Sequence, residues 1–185
     1  MIVFLHGLES TVDADLLPIG RKVQWLRPRY PGLAAPGLDT RAAIALKEHC
    51  LASGADWFAD SERLSVAFER PMANARAAIT AQTQLVIGSS FGGAVLLKLL
   101  HEGAWSGPSV FMAGAGIKLT EHRELPAGSQ AIFIHGRHDP VVPIEDSRIL
   151  AASCGMPLWE VEDGHRLASV LDDGTLAAAI KMVLT

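Results

Sequence analysis

The sequence predicts an α/β fold with a single domain, 1–185. Its mostly parallel sheet is reduced to six strands, with helices on both faces. Three observations carry this. Six short apolar runs, at 2–5, 23–26, 85–87, 109–112, 131–134 and 158–161, have the length and composition of buried parallel strands. Helical patterns at 41–52, 73–81, 94–101 and 144–153 lie between most of them, and strands alternating with helices imply parallel crossovers. Finally, 185 residues that are 49% hydrophobic and 19% charged describe a compact chain with a core, not a disordered one.

In chain order, Ile-Val-Phe-Leu at 2–5 opens the sheet and Val-Gln-Trp-Leu at 23–26 reads as its second strand. The segment 31–71 has no strand signal, only a helical stretch at 41–52 between Gly/Pro-rich and Trp57-Phe58 sequences. A connection that long is usually functional, so it is expected to be a cap or lid over a cleft. Trp57 and Phe58 are its candidate substrate-binding residues, with core packing the alternative, as it is for Trp105. The strand at 85–87 and the helix at 94–101 flank a glycine-rich turn. Strands at 109–112, 131–134 and 158–161 follow, and an apolar helix at 176–184 closes the chain.

Composition excludes several functions. A formal charge of −4 without a basic block argues against nucleic acid. No run approaches the ~18 apolar residues of a membrane span, and the first residues lack a basic signal-peptide region. Cys50 and Cys154 form neither a disulfide framework nor a zinc spacing, so a reducing, cytoplasmic setting is expected.

The turn carries the chemistry. Leu-Val-Ile leads into Gly88-Ser89-Ser90-Phe91-Gly92-Gly93 and then a helix, which is the context of a nucleophile elbow. A serine at so sharp an apex is strained, and its neighbours two positions away must be small. Gly88 and Gly92 meet that need for Ser90, whereas Ser89 would have Ile87 upstream. Gly93 allows close approach of the helix. The turn lacks the Gly-Lys-Ser/Thr ending of a phosphate loop.

A serine nucleophile needs a base, and the base an orienting acid. Asp139 lies in a Pro-rich turn just past the strand at 131–134, and His165 just past the strand at 158–161. Capping of the following helix is the alternative role for Asp139. Asp163 is a rival acid, with Glu9 and Glu162 weaker ones. His6 and His135 end strands and read as hydrogen-bonded structural histidines. His49, His101 and His122 read as surface residues, and Arg137 and Arg166 as solvated charge. The grouping His135, His138, Asp139 is not a zinc spacing, so no metal is expected.

With these motifs in order, the chain resembles a small α/β-hydrolase of the serine carboxylesterase kind over nearly its whole length. Phe4-Leu5-His6-Gly7-Leu8 is similar to the family's His-Gly turn, and the elbow, the His135-Gly136-x-x-Asp139-x-x-Val142-Pro143 turn and Gly164-His165 match its other landmarks. The family's first two strands are absent, and 31–71 matches no particular subfamily. The resemblance implies a Ser90, Asp139, His165 triad, with the backbone N–H groups of Leu8 and Phe91 forming an oxyanion hole and their side chains available to shape the pocket wall. It implies hydrolysis of a small-molecule ester or thioester, or of a carbon–carbon bond, with no cofactor and no metal. A non-catalytic binding protein on the same fold is the alternative.

Overall fold

The computed structural model describes residues 1–8 and 20–185. Alternate side chains of each strand point to opposite faces, and here both faces are apolar, so the strands separate two cores. Val3, Leu5, Val86, Phe111, Ala131 and Phe133 belong to one core. Ile2, Phe4, Leu85, Ile87, Val110, Met112, Ile132 and Ile134 belong to the other.

Five strands, β1 (Ile2–Leu5), β2 (Leu85–Ser89), β3 (Ser109–Met112), β4 (Ala131–Gly136) and β5 (Leu158–Val161), form one sheet in the order β1-β2-β3-β4-β5. Every neighbouring pair is parallel. Register places Phe4 beside Ile87, Ile87 beside Val110 and Val110 beside Ile132, so one apolar row crosses four strands. Because right-handed crossovers between sequential neighbours fall on one face, α2 (Arg41–Ser53), α3 (Ser61–Ala78), α4 (Phe91–His101), α5 (Gly116–Leu119) and α6 (Ile144–Cys154) all contribute to the first core. The opposite face is covered by α1 (Arg21–Leu26), α7 (Ser169–Asp172) and α8 (Thr175–Val183).

Among the described residues the sheet has five strands, not six. The run 23–26 is the end of α1, whose Val23 and Leu26, one helical turn apart, are the buried side chains. The edge beside β1 is instead touched at one point, where Ala34 bridges Val3 in parallel. Phe4 N–H donates to the Ala34 carbonyl at 2.8 Å and Ala34 N–H to Ile2 at 2.9 Å. The helix expected at 73–81 is the second half of α3, which begins at Ser61 and carries Pro71 inside it. Asp60 caps it by accepting the Arg63 N–H at 2.9 Å.

Within 31–71, α2 packs against α3, with a short 3₁₀ turn (Trp57–Ala59) between them. Among the described residues, no helix is long and apolar enough to cross a membrane. In a parallel sheet the loops at the carboxyl ends share one edge. Here those are the turns after all five strands, and the ones after β1, β2, β4 and β5 carry the candidate residues.

Candidate active site

At the end of β2 the chain reverses into α4 through Ser90, whose φ of 53° and ψ of −116° lie outside the ordinary regions for a side-chain-bearing residue. The glycines make this possible. A Cβ on Gly88 would lie 2.6 Å from the Gly92 carbonyl oxygen, and one on Gly92 would run into the Leu5 backbone. Backbone bonds hold the apex: Ser90 N–H donates to Met112 at 3.0 Å, and the Ser90 carbonyl accepts from Gly93 at 2.9 Å and Ala115 at 3.0 Å. Ser89 is buried in β2.

His165 Nε2 accepts the Ser90 hydroxyl at 2.8 Å, and its Nδ1–H donates to Asp139 Oδ2 at 2.7 Å. The Asp139 side chain is wholly buried, and its Oδ1 accepts the N–H groups of Val141 at 2.8 Å and Val142 at 2.9 Å. Asp139 thus caps its turn with one oxygen and meets His165 with the other. Burial pushes its carboxyl up, but the Val142, His165 and Val141 donors outweigh burial and hold it below the usual range.

Asp163 does not reach His165 in this arrangement. Its Oδ1 takes the Gly164 N–H at 2.7 Å, and Oδ2 takes the Ser169 N–H and hydroxyl at 2.7 and 2.8 Å. Burial opposes its charge, but these donors keep its carboxyl low. Glu162 is exposed and bonds His138 and Arg137, while Glu9 lies outside the described residues.

The turn after β1 abuts the serine: a Cβ on Gly7 would sit 3.3 Å from Ser90 Cβ. His6 beneath it is buried. Because the Leu38 N–H can only donate, His6 Nε2 accepts it at 2.9 Å, which leaves Nδ1–H to donate to Gly7 O at 2.7 Å. Burial lowers the His6 pKa and favours this neutral ring. Thr40 Oγ1 donates to Leu8 O at 2.6 Å. Among the described residues, nothing accepts a hydrogen bond from the Leu8 or Phe91 N–H. The latter is the first residue of α4, where N–H groups are free and the helix dipole favours an anion.

The Phe91 side chain does not line a pocket. It is fully buried and stacks on Phe68 of α3, with ring centroids 5.0 Å apart. Trp57 packs onto the first core, as does Leu8, whereas Phe58 is 40% exposed. His101 and His122, expected at the surface, are half-buried and stacked 3.6 Å apart. Among the described residues, no three His, Cys, Asp or Glu side chains are arranged to hold a metal ion.

Lys22 had no signal in the sequence. Its Nζ donates at 2.7 Å to the carbonyl of Arg166, the residue after His165 and 144 residues away in the chain. Burial lowers its pKa to about 8, with Asp163 opposing that shift and Arg166 adding to it.

No family model and no curated protein matches this sequence. Its likeness is to solved structures. A protein from Xanthomonas campestris pv. campestris assigned to the alpha/beta hydrolase superfamily aligns over 98% of this chain and 96% of its own, with a TM-score of 0.60 and 21% identity. Dienelactone hydrolase from Anabaena variabilis aligns over 97% and 83%, with a TM-score of 0.57 and 18% identity. A meta-cleavage product hydrolase aligns over 98% and 89%, with a TM-score of 0.57 and 13% identity. With a parallel sheet between two helical layers and these neighbours over almost its full length, the chain has the α/β-hydrolase fold.

Proposed function

We propose that the protein is a serine hydrolase that cleaves a small-molecule carboxylic ester or thioester through an acyl-enzyme. The observation that carries this is the continuous hydrogen-bonded line Ser90–His165–Asp139 at the carboxyl edge of the sheet. Ser90 Oγ attacks the carbonyl carbon while His165 Nε2 takes its proton, and Asp139 holds the tautomer and faces the imidazolium that forms. The Leu8 and Phe91 N–H groups receive the oxyanion. Collapse of the tetrahedral species expels the alcohol or thiol, which takes the proton from His165. Water, deprotonated by His165, then attacks the acyl-serine, and the acid leaves as Ser90 regains its proton. Each proton travels through His165, and no step calls on a cofactor or metal.

The segment 31–71 walls the cleft in this reading. Its support is the pair of bonds from Leu38 and Thr40 to the turn beside Ser90, together with the exposed Phe58 ring. Two free thiols, Cys50 buried and Cys154 half-buried, accord with a reducing compartment such as the cytoplasm. Labelling by a fluorophosphonate, and turnover of esters and thioesters of graded acyl length, test the function against a Ser90→Ala control. Absence of both labelling and turnover would replace it with a binding role on the same fold.

A further inference from the structure

His135 is the penultimate residue of β4, four residues before Asp139, and is completely buried. Its Nε2 lies 3.0 Å from the Val142 carbonyl and 3.1 Å from Asp139 Oδ2, and its Nδ1 lies 2.7 Å from Ser147 Oγ in α6. A carbonyl and a carboxylate can only accept, so the proton sits on Nε2, and Nδ1 accepts the Ser147 hydroxyl. Burial lowers the His135 pKa and favours this neutral ring. The charged groups around it are Asp139 and, from α6, Asp146, whose own pKa burial raises. His165 lies beyond Asp139, and Lys118 and Arg123 near Asp146.

The ring therefore reaches the acid by two routes. Its N–H lies beside the oxygen that His165 uses, and it holds the carbonyl of Val142, whose own N–H binds the other oxygen. We propose that His135 is a positioning residue for the hydrolytic reaction, fixing the Asp139 carboxylate and drawing off part of its charge, with the Ser147 hydroxyl holding the ring in place from its other nitrogen. This rests on the reading of Ser90, Asp139 and His165 as the catalytic set.

The test compares His135→Leu, His135→Gln and Ser147→Ala by kcat, KM, pH profile and melting temperature. His135→Leu should lower kcat by about 10²-fold, the scale of a misplaced catalytic group, with KM little changed. It also leaves more negative charge facing the imidazolium, so the acid limb of kcat/KM should move to higher pH. Glutamine can return an N–H near the Nε2 position, so His135→Gln should recover most of kcat and of the limb. Ser147→Ala, a nearly isosteric change, should lower kcat about tenfold with the same direction of limb shift, and it decides the matter if His135→Leu does not fold. Wild-type kcat in Ser147→Ala and in folded His135→Leu, or losses that track melting temperature with an unmoved limb, would overturn the proposal. Ser90→Ala assayed alongside separates the two failures: if that variant stays active, the underlying reading is what has failed.

Discussion

The elbow holding Ser90 and the loop holding His165 lie at the ends of β2 and β5 and are built in opposite ways. The elbow is made of backbone: two glycines leave no room for a Cβ, and main-chain bonds to Met112, Gly93 and Ala115 fix the apex. The loop is made of side chains. Asp163 gathers Gly164 and Ser169, Lys22 holds the Arg166 carbonyl, and buried Leu167 is kept at a φ of 50°. A backbone site is indifferent to pH and intolerant of added atoms. A side-chain clamp tolerates bulk better and responds to charge.

The largest expected effect lies on the elbow. Ser90→Ala removes one oxygen from a turn held by backbone, so the protein should fold normally while turnover falls by up to ~10⁶. Retention of a tenth of the wild-type rate would refute the nucleophile.

On the loop side, Asp139→Asn should lower kcat by up to ~10⁴, because the amide cannot hold the imidazole in the same tautomer. Asp163→Asn should cost less turnover and more melting temperature, since that carboxylate bonds its own loop and not His165. Measuring both kcat and melting temperature checks this, and the reverse order would exchange the roles of the two acids.

Gly92→Ala probes the elbow's intolerance directly. Its Cβ would meet the Leu5 and His6 backbones, which cannot give way without parting β1 from α4. A loss of about 3 kcal/mol is expected in denaturant unfolding. Wild-type stability would show that the close approach is not needed.

Trp57 and Phe58, in the proposed cap, separate packing from specificity. Phe58→Ala should shift preference among acyl lengths, at ~1–3 kcal/mol per lost contact, with little change in melting. Trp57→Ala should instead lower stability, because its ring packs on the first core. An unchanged acyl profile in Phe58→Ala would count against the proposed role of Phe58 in substrate binding.

The smallest effect is the pH response of the clamp. Lys22 binds a proton less readily when folded, at about 8 against 10.5, so between those values the unfolded chain holds more protons and stability from this group rises with pH. The gap in melting temperature between wild type and Lys22→Met should therefore move in favour of wild type from pH 8 to 10. A constant gap would show that the amine is not desolvated.

Local pattern was enough for much of this. Strand runs and glycine spacing depend on neighbours in the chain, so β1 to β5, the elbow and the order Ser90, Asp139, His165 were legible as residues. A four-residue apolar run has no period, so 23–26 read as a strand. Only its placement showed Val23 and Leu26 on one helix face, with Ala34 at the sheet edge instead. The segment 31–71 reads as ending at Pro71, ahead of a helix at 73–81, yet packing on α2 and α4 carries α3 from Ser61 through that proline.

The sequence by itself determined which side chains stand at the strand ends, because the alternation of strands and turns is written locally. Tertiary structure decided what each of them touches. Asp139 and not Asp163 faces His165, His135 lies beside Asp139, and Lys22 holds a carbonyl 144 residues away. Those distances depend on how strands far apart in sequence lie side by side, and no local pattern encodes that.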